Sequence, residues 1–102
     1  MFKRISVHDA LALHALEDTQ WVDIRDEQSY QAGHIPRALL LGSHNLPAFI
    51  AAADLDKPLL VCCYHGNSSQ SAAAFLVEKG FENVYSIDGG FEAWKTQGPV
   101  AV

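Results

Sequence analysis

Cysteine is scarce in this chain: two in 102 residues, and the two are neighbours, Cys62 and Cys63. Adjacent thiols build no disulfide framework, and no second Cys or His pair completes a zinc-finger spacing, so neither a metal nor another cofactor is expected. Long hydrophobic runs are missing too, since nothing approaches the ~18 apolar residues that a membrane span needs. Positive charge is thin. Seven Lys and Arg stand against twelve Asp and Glu, a formal net charge of −5, with no basic cluster beyond Lys3-Arg4. Phosphate neutralisation needs a concentrated basic face, so nucleic acid is excluded as a partner. The acidity also works against long-range attraction of an anionic substrate, and any anion site has to be local. After Lys3-Arg4, His8, Asp9 and His14 interrupt any apolar signal core. The expectation is a cytoplasmic protein without a targeting segment or a membrane partner.

What remains suits a single domain spanning residues 1–102. Hydrophobic residues make up 49% of the chain and no repeat, low-complexity tract or linker divides it. A chain of this length buries roughly two-thirds of its unfolded surface, enough for one core. Strand-like and helix-like stretches alternate, which predicts an α/β fold with a mainly parallel central sheet and helices on both faces. Ser6 with Asp9 three residues on reads as a helix start. Short strands are expected at Trp21–Ile24 and Ala38–Leu41, with a helical turn between them stopped by Gly33 and Pro36. Leu46, Phe49, Ile50 and Ala53 recur on one helical face. "DKPLLVCC" is apolar on both sides, as a strand covered by helices on both faces requires. "SSQSAAAFLVEKG" reads as a helix, "ENVYSIDGG" as the last strand and "FEAWKTQG" as the last helix.

Chemistry concentrates where "LLVCC" meets "YHGNSS". Strand side chains alternate faces, so Leu60 and Cys62 share one side while Leu59, Val61 and Cys63 share the other. Cys62 reads as a small core residue. Cys63, the last strand residue, stands at the carboxyl end of a parallel strand, outside which open α/β sheets bind ligands. Gly66 and Asn67 allow the loop to curl before the helix begins. Such a curl turns successive N–H groups, and the helix N-terminus, toward one point. Those donors favour a thiolate and can hold an anion on the sulfur. Cysteine phosphatases use a similar Cys-loop-helix pattern, but with an arginine six residues after the cysteine. Here Ser69 stands six after Cys63 and Ser68 six after Cys62, and no Arg or Lys lies between Cys63 and Lys79. Phosphoryl transfer would lack its bidentate clamp.

"CYHGNSS" together with "VYSIDGGFEAW" resembles the rhodanese, or thiosulfate sulfurtransferase, family, most of all its bacterial single-domain GlpE type. "VDIRD" (22–26), "YQAGHIPRA" (30–38) and "GGFEAW" (89–94) are similar to three further segments of that family, in the same order. The resemblance implies a rhodanese fold and a ping-pong sulfurtransferase in which Cys63 carries a persulfide. It further implies that the loop Tyr64, His65, Gly66, Asn67, Ser68 and Ser69 supplies N–H donors to that persulfide. Thiosulfate would be the donor, with cyanide or a thiol as acceptor and a thioredoxin-like protein as a further candidate acceptor. Two departures stand out. Arg37 replaces a glycine common in the signature, and the loop lacks the basic side chains that many rhodaneses carry. Weak thiosulfate affinity is therefore expected, with a protein or low-molecular-weight persulfide as a better donor.

A persulfide carrier that delivers sulfur to a partner protein is the alternative, and it needs Cys63 equally. A dead interaction domain is disfavoured because such domains commonly lack the cysteine. A redox-sensing thiol wants a resolving cysteine, and Cys62 points the wrong way. Among the other residues, His65 is expected to matter through its backbone. Tyr64 can equally line a pocket rim or shield the loop. Asp23 and Arg25 read as a supporting ion pair or loop anchor. His34 reads as a structural histidine and His14 as helix packing. Trp94, Phe91 and Leu76 read as core, and Ser68 and Ser69 as helix caps with one hydroxyl able to reach the persulfide. Gly89-Gly90 reads as a turn bringing backbone close to the site.

Overall fold

The computed structural model describes residues 1–102. The elements alternate as β1 (Lys3–Ile5), α1 (Val7–His14), β2 (Gln20–Asp23), α2 (Glu27–Ala32) and β3 (Leu39–Leu40), then α3 (Leu46–Ala52), β4 (Leu59–Cys62), α4 (Ser68–Glu78), β5 (Val84–Ile87) and α5 (Gly90–Trp94). One sheet holds all five strands in the order β1-β5-β4-β2-β3, every pairing parallel. The central strand is β4, whose register sets Val61 against Val22 on one side and Ser86 on the other.

Burial follows from that placement. All four residues of β4 are buried, because helices cover both faces. On one face Leu60 and Cys62 pack with Val7 and Ala10 of α1 and with Phe91 and Trp94 of α5. On the other, Leu59 and Val61 pack with Ala73 and Leu76 of α4, and α3 adds Leu46, Phe49 and Ile50. Leu76, Phe91 and Trp94 are therefore core, as their spacing suggests. No helix is long and apolar enough to cross a membrane.

Local chemistry sets the element ends. The Ser6 hydroxyl accepts from the Asp9 amide at 3.1 Å and opens α1. The Asp26 carboxylate accepts from the Ser29 amide at 3.0 Å and opens α2. Arg37 ties down the end of α1 from a distance: its guanidinium donates to the carbonyl of His14 in the last turn and to those of Leu16 and Glu17 just beyond the helix. Its own backbone sits at φ 74, the left-handed region where a glycine is the easy choice. The arginine thus adds a helix cap at a strained turn.

One strand was not expected, and two others have different bounds. β1 carries no apolar run, because on this edge strand only Ile5 is buried. β2 begins and ends one residue earlier than expected, at Gln20–Asp23, and β3 spans only Leu39–Leu40 rather than Ala38–Leu41. Ala38 is held instead in a turn by its amide bond to Ile35 O at 3.0 Å.

Candidate active site

Cys63 lies just past β4 rather than as its last residue, and the chain then turns sharply. Gly66 makes the turn at φ 89. A Cβ there would stand 2.8 Å from the Gly89 amide nitrogen and 3.0 Å from Ile87 O, so the position admits no side chain. The turn aims the Gly66 amide at Cys63 Sγ from 3.2 Å, and the Ser69 amide in the first turn of α4 donates from 3.2 Å as well. Ser69 Oγ is also 3.2 Å from the sulfur. Burial alone would raise the thiol's pKa. The Ser69 hydroxyl and the amides of Ser69, Gly66 and His65 outweigh it and bring the pKa below that of an ordinary cysteine. The residue is 3% exposed, so the sulfur sits on the floor of this ring of donors.

Cys62 points to the opposite face and joins the core. Burial pushes its thiol far up, the Asp23 carboxylate adds to that, and Arg25 opposes it. Two neighbouring thiols thus have opposite fates, as the strand alternation implies.

Of the six loop residues, His65, Gly66 and Ser69 turn amides to the sulfur, whereas Tyr64, Asn67 and Ser68 do not. Ser68 and Ser69 are not helix caps. Asn67 holds the cap position without a side-chain bond, and Ser68 and Ser69 begin the helix itself. Both serines lie too far into the first turn to cap it, and the Ser69 hydroxyl is committed to the sulfur. The His65 ring is exposed and makes no hydrogen bond. Tyr64 lies at a cleft rim rather than packed over the loop: it is exposed, its hydroxyl lies 3.2 Å from Ser29 Oγ, and it lines a cleft of about 370 Å³ with Arg25, Phe91 and Lys95.

Asp23 and Arg25 form a buried bidentate pair, with Arg25 Nη2 donating to Asp23 Oδ2 at 2.7 Å and to Gly33 O at 2.7 Å. The Arg25 guanidinium lies over the Phe91 ring at 4.2 Å and lines two clefts at the carboxyl ends of the strands. The pair ties the end of β2 to Gly33 at the end of α2. His34 bonds Tyr30 O through Nδ1 at 2.8 Å, and His14 bonds Pro36 O through Nε2 at 2.9 Å while packing edge-on against Trp21 and Trp94. Both are structural, as their sequence contexts suggest.

The Gly89-Gly90 turn does reach the site. The Phe91 and Glu92 amides at the start of α5 donate to Cys63 O at 2.8 Å and Tyr64 O at 3.1 Å. A Cβ on Gly90 would lie 2.5 Å from both carbonyl oxygens.

One residue escaped the sequence reading. Ser86 of β5 is fully buried, and its Oγ lies 2.7 Å from Ser69 Oγ. Its signal was a polar residue on the inward face of "VYSI", beside Val84. Its partner could be found only from the register between β4 and β5.

Four similarities bear on this arrangement. The rhodanese-like domain family model matches residues 6–97. A thiosulfate sulfurtransferase GlpE from Pseudomonas entomophila (strain L48) is 63% identical over 98 residues, covering 96% of this chain and 89% of that protein. A thiosulfate sulfurtransferase GlpE from Pseudomonas savastanoi pv. phaseolicola is 56% identical over 98 residues, covering 96% and 92%. Among solved structures, the rhodanese-like domain of the Alr3790 protein from Anabaena sp superposes with a TM-score of 0.85 at 26% identity. It covers 99% of this chain and 80% of that one.

Proposed function

We propose that this chain, which belongs to the rhodanese-like domain family, is a thiosulfate sulfurtransferase whose nucleophile is Cys63. The observation that carries the assignment is the convergence of the Gly66 and Ser69 amides and the Ser69 hydroxyl on one sulfur, each at 3.2 Å. In the first half-reaction the Cys63 thiolate attacks the outer sulfur of thiosulfate. A new S–S bond forms, the old one breaks, and sulfite leaves with the bonding pair. In the second half-reaction cyanide, or a thiolate, takes the terminal sulfur and the Cys63 thiolate returns. The amides of His65, Gly66 and Ser69 are fixed before the reaction, so they hold negative charge on sulfur without reorganising. Residues 1–102 act as one unit, without cofactor, in the cytoplasm.

The loop offers donors but no side-chain cation, and Ser69 stands where a phosphatase would place its arginine. Thiosulfate is therefore held mainly by amides. The expected KM is about 1 mM or higher, and a value far below that would overturn this part of the reading.

Intact mass after incubation with thiosulfate tests the nucleophile. A gain of one sulfur, about 32 Da, should appear in the parent protein and in Cys62→Ser but not in Cys63→Ser. Steady turnover with cyanide would then mark a free enzyme. Turnover only with a protein thiol, such as a thioredoxin-like acceptor, would mark a carrier instead.

A further inference from the structure

Behind the sulfur lies a second layer that no loop motif predicts. Ser69 Oγ stands between two partners, Cys63 Sγ at 3.2 Å and Ser86 Oγ at 2.7 Å. Both serines are fully buried. Ser86 enters from the neighbouring strand, in register with Val61, and its hydroxyl has no other hydrogen-bond partner. We propose that Ser86 is a positioning residue for sulfur transfer: its hydroxyl donates to Ser69 Oγ and thereby directs the Ser69 proton onto Cys63 Sγ.

The protons of the two hydroxyls set the direction. Each hydroxyl carries one. If Ser69 donates to the sulfur, the proton between the two oxygens has to come from Ser86, and both hydroxyls are then satisfied. If the order is reversed, Ser69 donates to Ser86. The Ser86 proton is then left without an acceptor in a fully buried place, which is costly. The reversed order also presents a lone pair to the sulfur, which only a protonated thiol can use. The chain Ser86 to Ser69 to Cys63 is therefore strongest when the sulfur carries no proton, because a thiol sulfur accepts only weakly and has a proton of its own to place on Ser69 Oγ. Both the thiolate and the inner sulfur of a persulfide meet that condition. One arrangement thus serves both halves of the reaction, with no rotor to turn between them. In a water-poor setting the Ser86 bond also polarises the Ser69 hydroxyl and strengthens its bond to sulfur.

The inference rests on Cys63 being the nucleophile, and its test separates the two. The rate of Cys63 alkylation by iodoacetamide is followed across pH, with the site of modification read by mass, in the parent protein, Ser86→Ala, Ser69→Ala and the double variant. The other ionisable groups around the loop are the Cys62 thiol, the Asp23–Arg25 pair, Tyr64, His65, Glu92 and Lys95, and none of these substitutions alters them. Ser86→Ala should move the midpoint up and lower the rate on the acid side about five- to tenfold, the factor one net hydrogen bond corresponds to. Its limiting rate at high pH should stay within about twofold of the parent's, which a merely structural role would not ensure. In the Ser69→Ala background, Ser86→Ala should add nothing. If Ser86→Ala fails to fold, Ser86→Thr keeps the hydroxyl on a strand-favouring residue and should give the parent profile. Superimposed parent and Ser86→Ala profiles, a full Ser86 effect without Ser69, or a displaced Ser86→Thr profile would each overturn the relay. A parent protein that gains no sulfur from thiosulfate yet shows the Ser86 shift would instead overturn the nucleophile assignment and leave the relay standing.

Discussion

The Gly66 amide reaches Cys63 Sγ at 3.2 Å because Gly66 adopts φ 89, a conformation that an L side chain rarely takes. Gly66→Ala meets both that strain and a Cβ 2.8 Å from the Gly89 amide nitrogen, a backbone atom that cannot swing away. The loop has to shift, and the amide leaves the sulfur. Stability should fall by about 1–2 kcal/mol. The kcat/KM for thiosulfate should fall roughly hundredfold, as for loss of a preorganised donor. Denaturant melts and cyanide-coupled kinetics check the two separately. Unchanged kinetics would show that this amide does not hold the charge.

His65 contributes its amide rather than its ring, which is exposed and unbonded. His65→Ala should keep turnover within about fivefold of the parent's. A loss of a thousandfold or so in the same assay would reveal a general acid or base.

The two cysteines pull stability in opposite directions with pH. Native Cys63 ionises below the ordinary thiol value of about 8.5, so between its native value and that pH the unfolded chain binds more protons. Stability rises with pH across that window, and this contribution is lost as pH falls through the native value. Cys62 is held protonated in the native state while the unfolded chain ionises, so above about 8.5 stability declines. Melting temperatures from pH 5 to 10 should show Cys63→Ser flattening the lower limb and Cys62→Ala flattening the upper one. Parallel curves for all three proteins would refute the opposed titrations.

Arg37 combines a strained φ of 74 with a cap on α1. Arg37→Gly relieves the strain and loses the cap, and should stay near the parent's stability. Arg37→Ala keeps the strain and loses the cap, so it should fall below Arg37→Gly by about 1 kcal/mol. Sulfur transfer should be unaffected in both. Thermal melts that rank Ala above Gly would show that the left-handed backbone at this position carries no strain for a glycine to relieve.

Much of this was readable in the residues. The double-sided apolar run Leu59–Val61, the alternation separating Cys62 from Cys63, and the Gly-Asn curl are local features, and local features survive folding. What escaped was set across elements. β1 forms because Lys3–Ile5 finds a parallel partner in Tyr85–Ile87, with nothing in its own composition to announce it. Ser69 looked like a cap because serine near a helix start usually is one, but here its hydroxyl is taken by the sulfur and by Ser86. Arg37 looked like a departure from a glycine until the carbonyls it serves came into view, some twenty residues upstream.

The grip of the Phe91 and Glu92 amides on Cys63 O and Tyr64 O also reaches beyond those two bonds. A trans peptide is rigid, with its oxygen and its hydrogen on opposite sides. Anchoring the Tyr64 oxygen toward α5 therefore dictates that the next hydrogen, on His65, faces the other way, inward. The closing segment of the chain thus acts as a tiller for the nucleophile's surroundings without approaching the sulfur itself. Changes that loosen α5 should blunt the thiol's reactivity even where the loop sequence is intact.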